Sequence, residues 1–147
     1  MPTCRNVLIG GFLRNFAGCI VTYYLPVFHS KNFPANKALY ASINAMILSL
    51  CGLFASVSSG IMADVFEKRT LWAKSLICMI LQSISVPLMC LTCWATHSFW
   101  LSIIAYAFYH TAASTYVGPA MTMMQNTAPP ELQGNVVSAY FFVITIA

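Results

Sequence analysis

The stretch SSGIMADVFEKRTLWAK, residues 58–74, holds half of the charged residues in this chain. It contains two of the three carboxylates and three of the seven lysines and arginines, with apolar sequence on both sides. Only 7% of the 147 residues are charged and 59% are hydrophobic, whereas a soluble domain carries about 25% charged residues. Because so little charge cannot cover a water-facing surface, the composition predicts an integral, multi-pass membrane protein surrounded by a lipid bilayer.

Four apolar runs are long enough to cross a ~30 Å hydrocarbon core, and a fifth is truncated at the end of the sequence. The predicted spans are residues 7–28, 38–62, 71–92, 99–124 and 136–147. Lipid offers the backbone no hydrogen bonds, and barrel-type alternation is not visible, so the spans are predicted to be helices. We therefore predict an all-α, polytopic membrane helical bundle of about five transmembrane helices, forming a single membrane domain over residues 1–147.

The distribution of basic residues predicts the orientation of this bundle. If the N-terminus lies inside, on the cytoplasmic side, the inner segments hold Arg5, Lys68, Arg69 and Lys74, and the outer segments hold Lys31 and Lys37. The positive-inside rule favours this arrangement over its inverse. No Lys/Arg run of the nucleic-acid-binding type occurs, so the net charge of +4 does not predict a nucleic-acid partner.

Small and polar residues recur at helical spacing in two of the spans. In the second span they predict close helix packing, at Ser49, Gly52, Ser56, Ser59 and Gly60. In the first span they predict a packed or cavity-facing stripe, at Gly11, Arg14, Asn15, Gly18 and Thr22. Gln82 in the third span is predicted to donate a hydrogen bond to a neighbouring helix.

The predicted inner loop between the second and third spans contains GIMADVFEKR, residues 60–69. It resembles the signature loop of the major facilitator superfamily, whose pattern is roughly G-x-x-x-D-R/K-x-G-R/K-R/K. Four positions match, namely Gly60, Asp64, Lys68 and Arg69, whereas Val65 and Glu67 depart from the pattern. The alternative interpretation is an ordinary positive-inside loop.

A second stretch, PPELQGN at residues 129–135, resembles the P-x-x-x-R-G sequence that members of this family often carry between helices four and five. Gln133 stands where arginine is common, and Pro129, Pro130 and Gly134 also serve as turn formers. The order of spans and loops fits helices one to five or seven to eleven of the family fold. The degenerate signature loop and the short N-terminal tail favour helices seven to eleven, so the chain is expected to be part of the C-terminal half.

The resemblance implies a secondary-active transporter that moves a small solute by alternating access. In this family helices one, four, seven and ten line the central cavity, which places the first and fourth spans of this chain along it. The candidate substrate and proton residues on these spans are Arg14, Asn15, Tyr106 and His110. The first two lie in the first span, and the last two in the fourth.

Arg14 and His110 each allow a second interpretation. A guanidinium binds carboxylates in bidentate fashion, but Arg14 also has the length to reach the inner membrane surface. An imidazole changes its charge near neutral pH and can carry a proton, but a neutral histidine hydrogen-bonded inside the bundle fits His110 as well. Gly118 and Pro119, near the inner end of the fourth span, predict either a hinge or a packing kink.

The resemblance also implies a partner, because the signature-loop aspartate of one half of the family fold faces a helix of the other half. A complementary six-helix half, or a second copy of this chain, is therefore expected beside Asp64. We found no catalytic triad, phosphate loop or zinc pattern, so neither an enzyme nor a metal or other cofactor is predicted. The alternative function is a structural or accessory membrane subunit derived from such a transporter, and the abrupt end predicts that the protein continues past Ala147.

Overall fold

The computed structural model of the chain describes residues 2–67 and 73–146, with side chains throughout except at residues 2–4, 63–64, 66–67 and 73. Lys68 and Arg69 of the signature loop therefore lie outside the described residues. The described chain is helical almost throughout and contains no strand, so the predicted all-α class is confirmed.

The N-terminal half of the chain forms two long rods. Helix α1 runs over Pro2–Asn32, and at about 1.5 Å per residue it is longer than a ~30 Å hydrocarbon core. A 3₁₀ turn at Pro34–Asn36 follows. The second rod then combines α2 (Lys37–Met46), a π-helical segment (Ile47–Cys51) and α3 (Gly52–Glu67).

The C-terminal half contains four helices, namely α4 (Ala73–Trp94), α5 (Phe99–Ser114), α6 (Val117–Thr127) and α7 (Gln133–Ile146). Ser98 caps α5, since its hydroxyl oxygen accepts a bond of 3.5 Å from the backbone N–H of Leu101. Pro129 precedes a 3₁₀ turn at Pro130–Leu132. The second resemblance motif therefore forms the corner that starts α7.

Three helical stretches of the described chain are long and apolar enough to cross a membrane: Arg5–Asn32, Pro34–Met62 and Lys74–Trp94. The predicted fourth span is divided between α5 and α6 by a turn at Thr115 and Tyr116. Pro119 explains this break, because it has no N–H to donate to the Thr115 carbonyl four residues earlier and its ring crowds that carbonyl. The total of about five spans remains a prediction.

Contacts group the chain into two units, and the larger one is Phe28–Pro119. Within it, Gln82 Nε2 donates to the Ala113 carbonyl at 3.3 Å, and Ser102 Oγ donates to the Thr92 carbonyl at 2.9 Å. The partner number falls as the residue number rises, so α4 and α5 are antiparallel. The first bond also confirms the interhelical role predicted for Gln82.

In the same unit, α3 packs along α5 and α6 in the parallel direction. Gly52 lies against His110, and seven residues later Ser59 lies against Gly118. The small-residue stripe predicted on the second span is thus confirmed as a packing face at Gly52 and Ser59, whereas Ser49 and Ser56 are exposed. Alternating helix directions are what short connections between successive spans require.

The other unit combines Met1–Val27 with Ala120–Ala147. Here α1 and α7 also run parallel, because Gly11 lies against Tyr140 and, one turn later on both helices, Asn15 Nδ2 donates to the Ile144 carbonyl. Tyr140 is only 2% exposed. The packed stripe predicted on the first span is therefore present at Gly11 and Asn15.

Large apolar side chains cover the outside of the described helices. Trp94 is 82% exposed, Tyr23 77% and Phe142 67%. Apolar exposure on this scale is incompatible with water and is typical of a lipid-facing surface. The fold is therefore that of an all-α membrane protein.

Candidate functional site

His110 lies on α5 where this helix passes the start of α3. Its Nδ1 is 3.4 Å from the hydroxyl of Ser114, one turn further along α5, and its ring meets the edge of the Tyr106 ring at 6.1 Å. A Cβ atom on Gly52 would lie 3.5 Å from His110 Cε1. A Cβ at this distance would make an ordinary van der Waals contact, so the imidazole packs against the first turn of α3.

The π-helical segment Ile47–Cys51 ends immediately before Gly52. A π turn interrupts the regular backbone hydrogen-bond ladder and frequently occurs at functional sites. Here the irregular turn sits on the rod that carries Gly52, next to the half-buried His110.

Two polar atoms on α2 are buried without a hydrogen-bond partner among the described residues, namely Tyr40 Oη and Asn44 Oδ1. The two residues are four apart and therefore share one helix face. Polar groups thus occur on α2, at Tyr40 and Asn44, and on α5, at Tyr106 and His110, whose ring centroids lie 6.1 Å apart. We call these four residues the polar row.

His29 forms the centre of a second buried cluster, which also contains Phe33, Tyr40, Thr92, Phe99 and Ser102. Its side chain is 1% exposed and its ring stacks on Tyr40 at 4.4 Å. Its Nε2 is 3.1 Å from Ser102 Oγ. Because the Ser102 proton is donated to the Thr92 carbonyl, Ser102 accepts from His29, and Nε2 carries the hydrogen. This cluster joins the end of α1 to α2, α4 and α5.

Gly118, at the start of α6, sits in a notch on α3. A Cβ atom at this position would lie 3.4 Å from the backbone nitrogen of Gly60 and 3.6 Å from the carbonyl oxygen of Ser56. A Cβ on Gly60 itself would meet nothing within 4 Å among the described residues. The residue whose side chain must be absent is therefore Gly118, whereas the sequence had suggested Gly60.

The signature-loop residues are only partly described. Gly60 and Asp64 lie in α3, which continues to Glu67, so this part of the predicted inner loop is helical. The side chain of Asp64, and all of Lys68 and Arg69, fall outside the described residues, so their roles remain predictions. Lys74, at the start of α4, is 5% exposed and contacts other residues. It is therefore buried, whereas a charge in a membrane-surface loop would be exposed to water.

Arg14 lies in the other unit, on α1. Its Nε atom is buried without a hydrogen-bond partner among the described residues. A Cβ atom on Gly18 would lie 3.4 Å from Nη1 of Arg14, so the guanidinium extends along α1 toward the following turn. It therefore points away from the N-terminal end of the helix, which is the end that a snorkelling side chain was expected to reach.

Asn15 follows Arg14 directly but has a different partner, since its amide donates to the Ile144 carbonyl on α7. The structure thus brings Tyr106 and His110 together on α5, and gives Asn15 a helix-packing contact. Arg14 and Asn15 belong to one unit, and Tyr106 and His110 belong to the other.

Sequence reasoning missed His29, Tyr40 and Asn44. The small-residue stripe would not have found Tyr40 and Asn44, because Asn44 lies five residues before Ser49, which is not the spacing of three or four that shares a helix face. His29 lacks any such signal, because its partners Tyr40 and Ser102 come from two other helices.

Comparison with family models matches residues 2–147 to the family described as Major Facilitator Superfamily. Comparison with curated proteins and with solved structures gave no match. The family match covers all of the predicted spans and both resemblance motifs.

Proposed function

Because the chain belongs to the major facilitator superfamily, we propose that it forms part of a secondary-active transporter that moves a small solute by alternating access. Members of this family are transporters rather than enzymes. In such a mechanism two halves rock about a site near the middle of the membrane. This chain supplies the helices of one half, and a complementary six-helix half or a second copy supplies the other.

The observation that carries the proposal is the polar row on α2 and α5. Tyr40 Oη and Asn44 Oδ1 are buried without partners among the described residues, and an unsatisfied buried polar group costs about 1–3 kcal/mol. A subunit that served only for packing would gain stability from apolar side chains at these positions. Groups of this kind instead favour a second arrangement of the helices in which they find partners.

The π-helical segment and the break between α5 and α6 support the same proposal. The π turn at Ile47–Cys51 and the turn at Thr115 and Tyr116 are two places where a helix rotates or bends at small cost. The π turn directly precedes Gly52, and the turn at Thr115 follows His110 by five residues, so each lies close in sequence to one side of the Gly52–His110 contact. We place the first and fourth spans along the solute path, with the N-terminus on the cytoplasmic side and the chain as helices seven to eleven of the family fold.

Alternating access is tested by labelling from both sides of the membrane. In a background without the six native cysteines, Tyr106→Cys and Phe108→Cys are compared in sealed vesicles with a membrane-impermeant thiol reagent. Phe108 is the matched control, because it lies on the same helix but is 63% exposed on the apolar surface. We expect Tyr106→Cys to react with reagent added on either side, and Phe108→Cys with neither.

Two results would contradict the proposal. Labelling of Tyr106→Cys from one side only would show a fixed opening, which is not alternating access. No labelling from either side would show that this face is permanently closed, which is the behaviour expected of an accessory subunit.

A further inference from the structure

We propose that Arg14 binds an anionic group, a carboxylate or a phosphate, on the transported solute. The inference rests on the proposed transport function and specifies the chemical class of its substrate. The inference is based on the missing partner and the direction of the Arg14 guanidinium, within the unit formed by Met1–Val27 and Ala120–Ala147.

Arg14 has no counter-charge among the residues whose side chains the structure describes. Its Nε is buried and has no hydrogen-bond partner among the described residues, and no ion pair to the guanidinium is present among them. Charge in the middle of a bilayer costs from about 2.5 to more than 10 kcal/mol, depending on the method. A cation therefore persists there only where an anion or water compensates it.

The chain itself cannot supply that anion from within its apolar runs. Its three carboxylates are Asp64, Glu67 and Glu131, and all three lie at the ends of apolar runs or between them. Glu131 is exposed in the 3₁₀ turn before α7. Within the apolar runs, only an anion from elsewhere or water can therefore compensate Arg14.

The direction of the side chain argues against a lipid phosphate at the nearer membrane surface. Arg14 lies nine residues after Arg5, which is about 13 Å along the helix axis. Its Nη1 lies beside Gly18, on the next turn away from Arg5. A side chain seeking head groups at the N-terminal end of α1 would extend in the opposite direction.

The surroundings of Arg14 keep it in place and leave its donors available. Asn15 Nδ2 is bonded to the Ile144 carbonyl, and Gly11 lies against the Tyr140 ring, so this turn of α1 is fixed on α7. Arg14 is about 60° around the helix from Gly11, on the flank of that contact. Gly18 has no side chain that would cover the guanidinium.

A guanidinium in this position is suited to a planar or tetrahedral anion. Its parallel N–H groups form two hydrogen bonds with a carboxylate or phosphate, which a lysine ammonium does not reproduce. Because the helix turn is already fixed, binding requires little reorganisation of the backbone.

The test uses phenylglyoxal, which modifies arginine, on the complete transporter in lipid nanodiscs. Modification of Arg14 and of Arg5 is quantified by mass spectrometry, with inorganic phosphate, acetate, succinate or citrate added, or with the neutral solutes glycerol and glucose. We expect Arg14 to react in the absence of anions, and at least one anion to slow its modification by about tenfold, equivalent to ~1.4 kcal/mol. Arg5, which is exposed, serves as the internal control and should react at one rate throughout.

Variants give an independent measurement with the anion that protects best. The anion should raise the thermal stability of the wild-type protein and of Arg5→Gln, but not that of Arg14→Gln. Arg14→Lys, which keeps the charge and loses the paired donors, should bind the anion about tenfold more weakly.

Three outcomes would overturn the inference. Protection of Arg14 by a neutral solute and by no anion would reject the anionic class. An unreactive Arg14 under every condition would indicate a permanent ion pair with a carboxylate of another chain. Equal reactivity under every condition would exclude binding at Arg14. The labelling of Tyr106→Cys tests alternating access without any added solute. A failure of the anion inference therefore leaves the proposed transport function intact.

Discussion

A Cβ atom on Gly118 would lie 2.8 Å from the hydroxyl oxygen of Ser59, a distance that real Cβ contacts essentially never reach. Ser59 is fully buried, and its hydroxyl donates to the Ser56 carbonyl at 2.9 Å, which holds the oxygen in place. The contact between α3 and α6 therefore depends on the missing side chain. Small residues of this kind let membrane helices approach closely without a hydrophobic driving force.

Gly118→Ala should reduce the free energy of unfolding by about 1–3 kcal/mol, because overpacking displaces α6 from its notch on α3. Gly134→Ala is the matched control, since a Cβ there meets nothing within 4 Å among the described residues. Equilibrium unfolding in bicelles measures both. Equal effects of the two substitutions would contradict the close contact.

Gly11→Ala should be destabilising by a similar amount of about 1–3 kcal/mol, since its Cβ would lie 2.8 Å from Tyr140 Cε2. The double variant Gly11→Ala with Tyr140→Leu should recover part of the loss, because the smaller side chain leaves room. A double-mutant cycle measures this coupling. Purely additive effects would show that the two side chains are not in contact.

Ser102→Ala should cost about 1–3 kcal/mol, because it leaves both the His29 N–H and the Thr92 carbonyl without their partner. Ser83→Ala is the control, since Ser83 is exposed and bonds only within its own helix. Side-chain nitrogen NMR of His29 adds a second readout and should show the hydrogen on Nε2 in the wild-type protein. A hydrogen on Nδ1 alone would be inconsistent with the assigned bond.

Gln82→Met should have a smaller effect, of about 0.6 kcal/mol, which is the average for interhelical hydrogen bonds in a membrane protein. The bond from Gln82 to the Ala113 carbonyl is 3.3 Å long and only partly buried. The free energies of unfolding of Gln82→Met and Gly118→Ala, measured under the same conditions, rank the Gln82–Ala113 and Gly118–Ser59 contacts. A loss at Gln82 that exceeds the loss at Gly118 would reverse the expected order.

The sequence predicted those features that depend on local pattern. Apolar length predicts helices, and the small residues of the second span predict the face on which Gly52 contacts α5 and Ser59 contacts the start of α6. Periodicity is sufficient for such features, because each helix displays its packing face at a fixed spacing.

The features that the sequence did not predict depend on partners far along the chain or on small backbone irregularities. Nothing near His29 indicates that Ser102, 73 residues away, completes its hydrogen bond. The residues of the π turn at Ile47–Cys51 are of the same types as those in the flanking helices, so the sequence gives no sign of the turn. The sequence predicts a hinge or a packing kink at Pro119, but the tight contact at Gly118 depends on the position of α3, which only the fold supplies.

The most direct test of the account is the side of the membrane on which each connection lies. Single cysteines at positions 37, 68, 97 and 131 are labelled in sealed vesicles of known orientation with an impermeant reagent. Positions 68 and 131 should react from the cytoplasmic side, and positions 37 and 97 from the opposite side. Labelling of positions 37 and 68 from the same side would show that the α2–α3 rod does not cross the membrane, which would contradict the account.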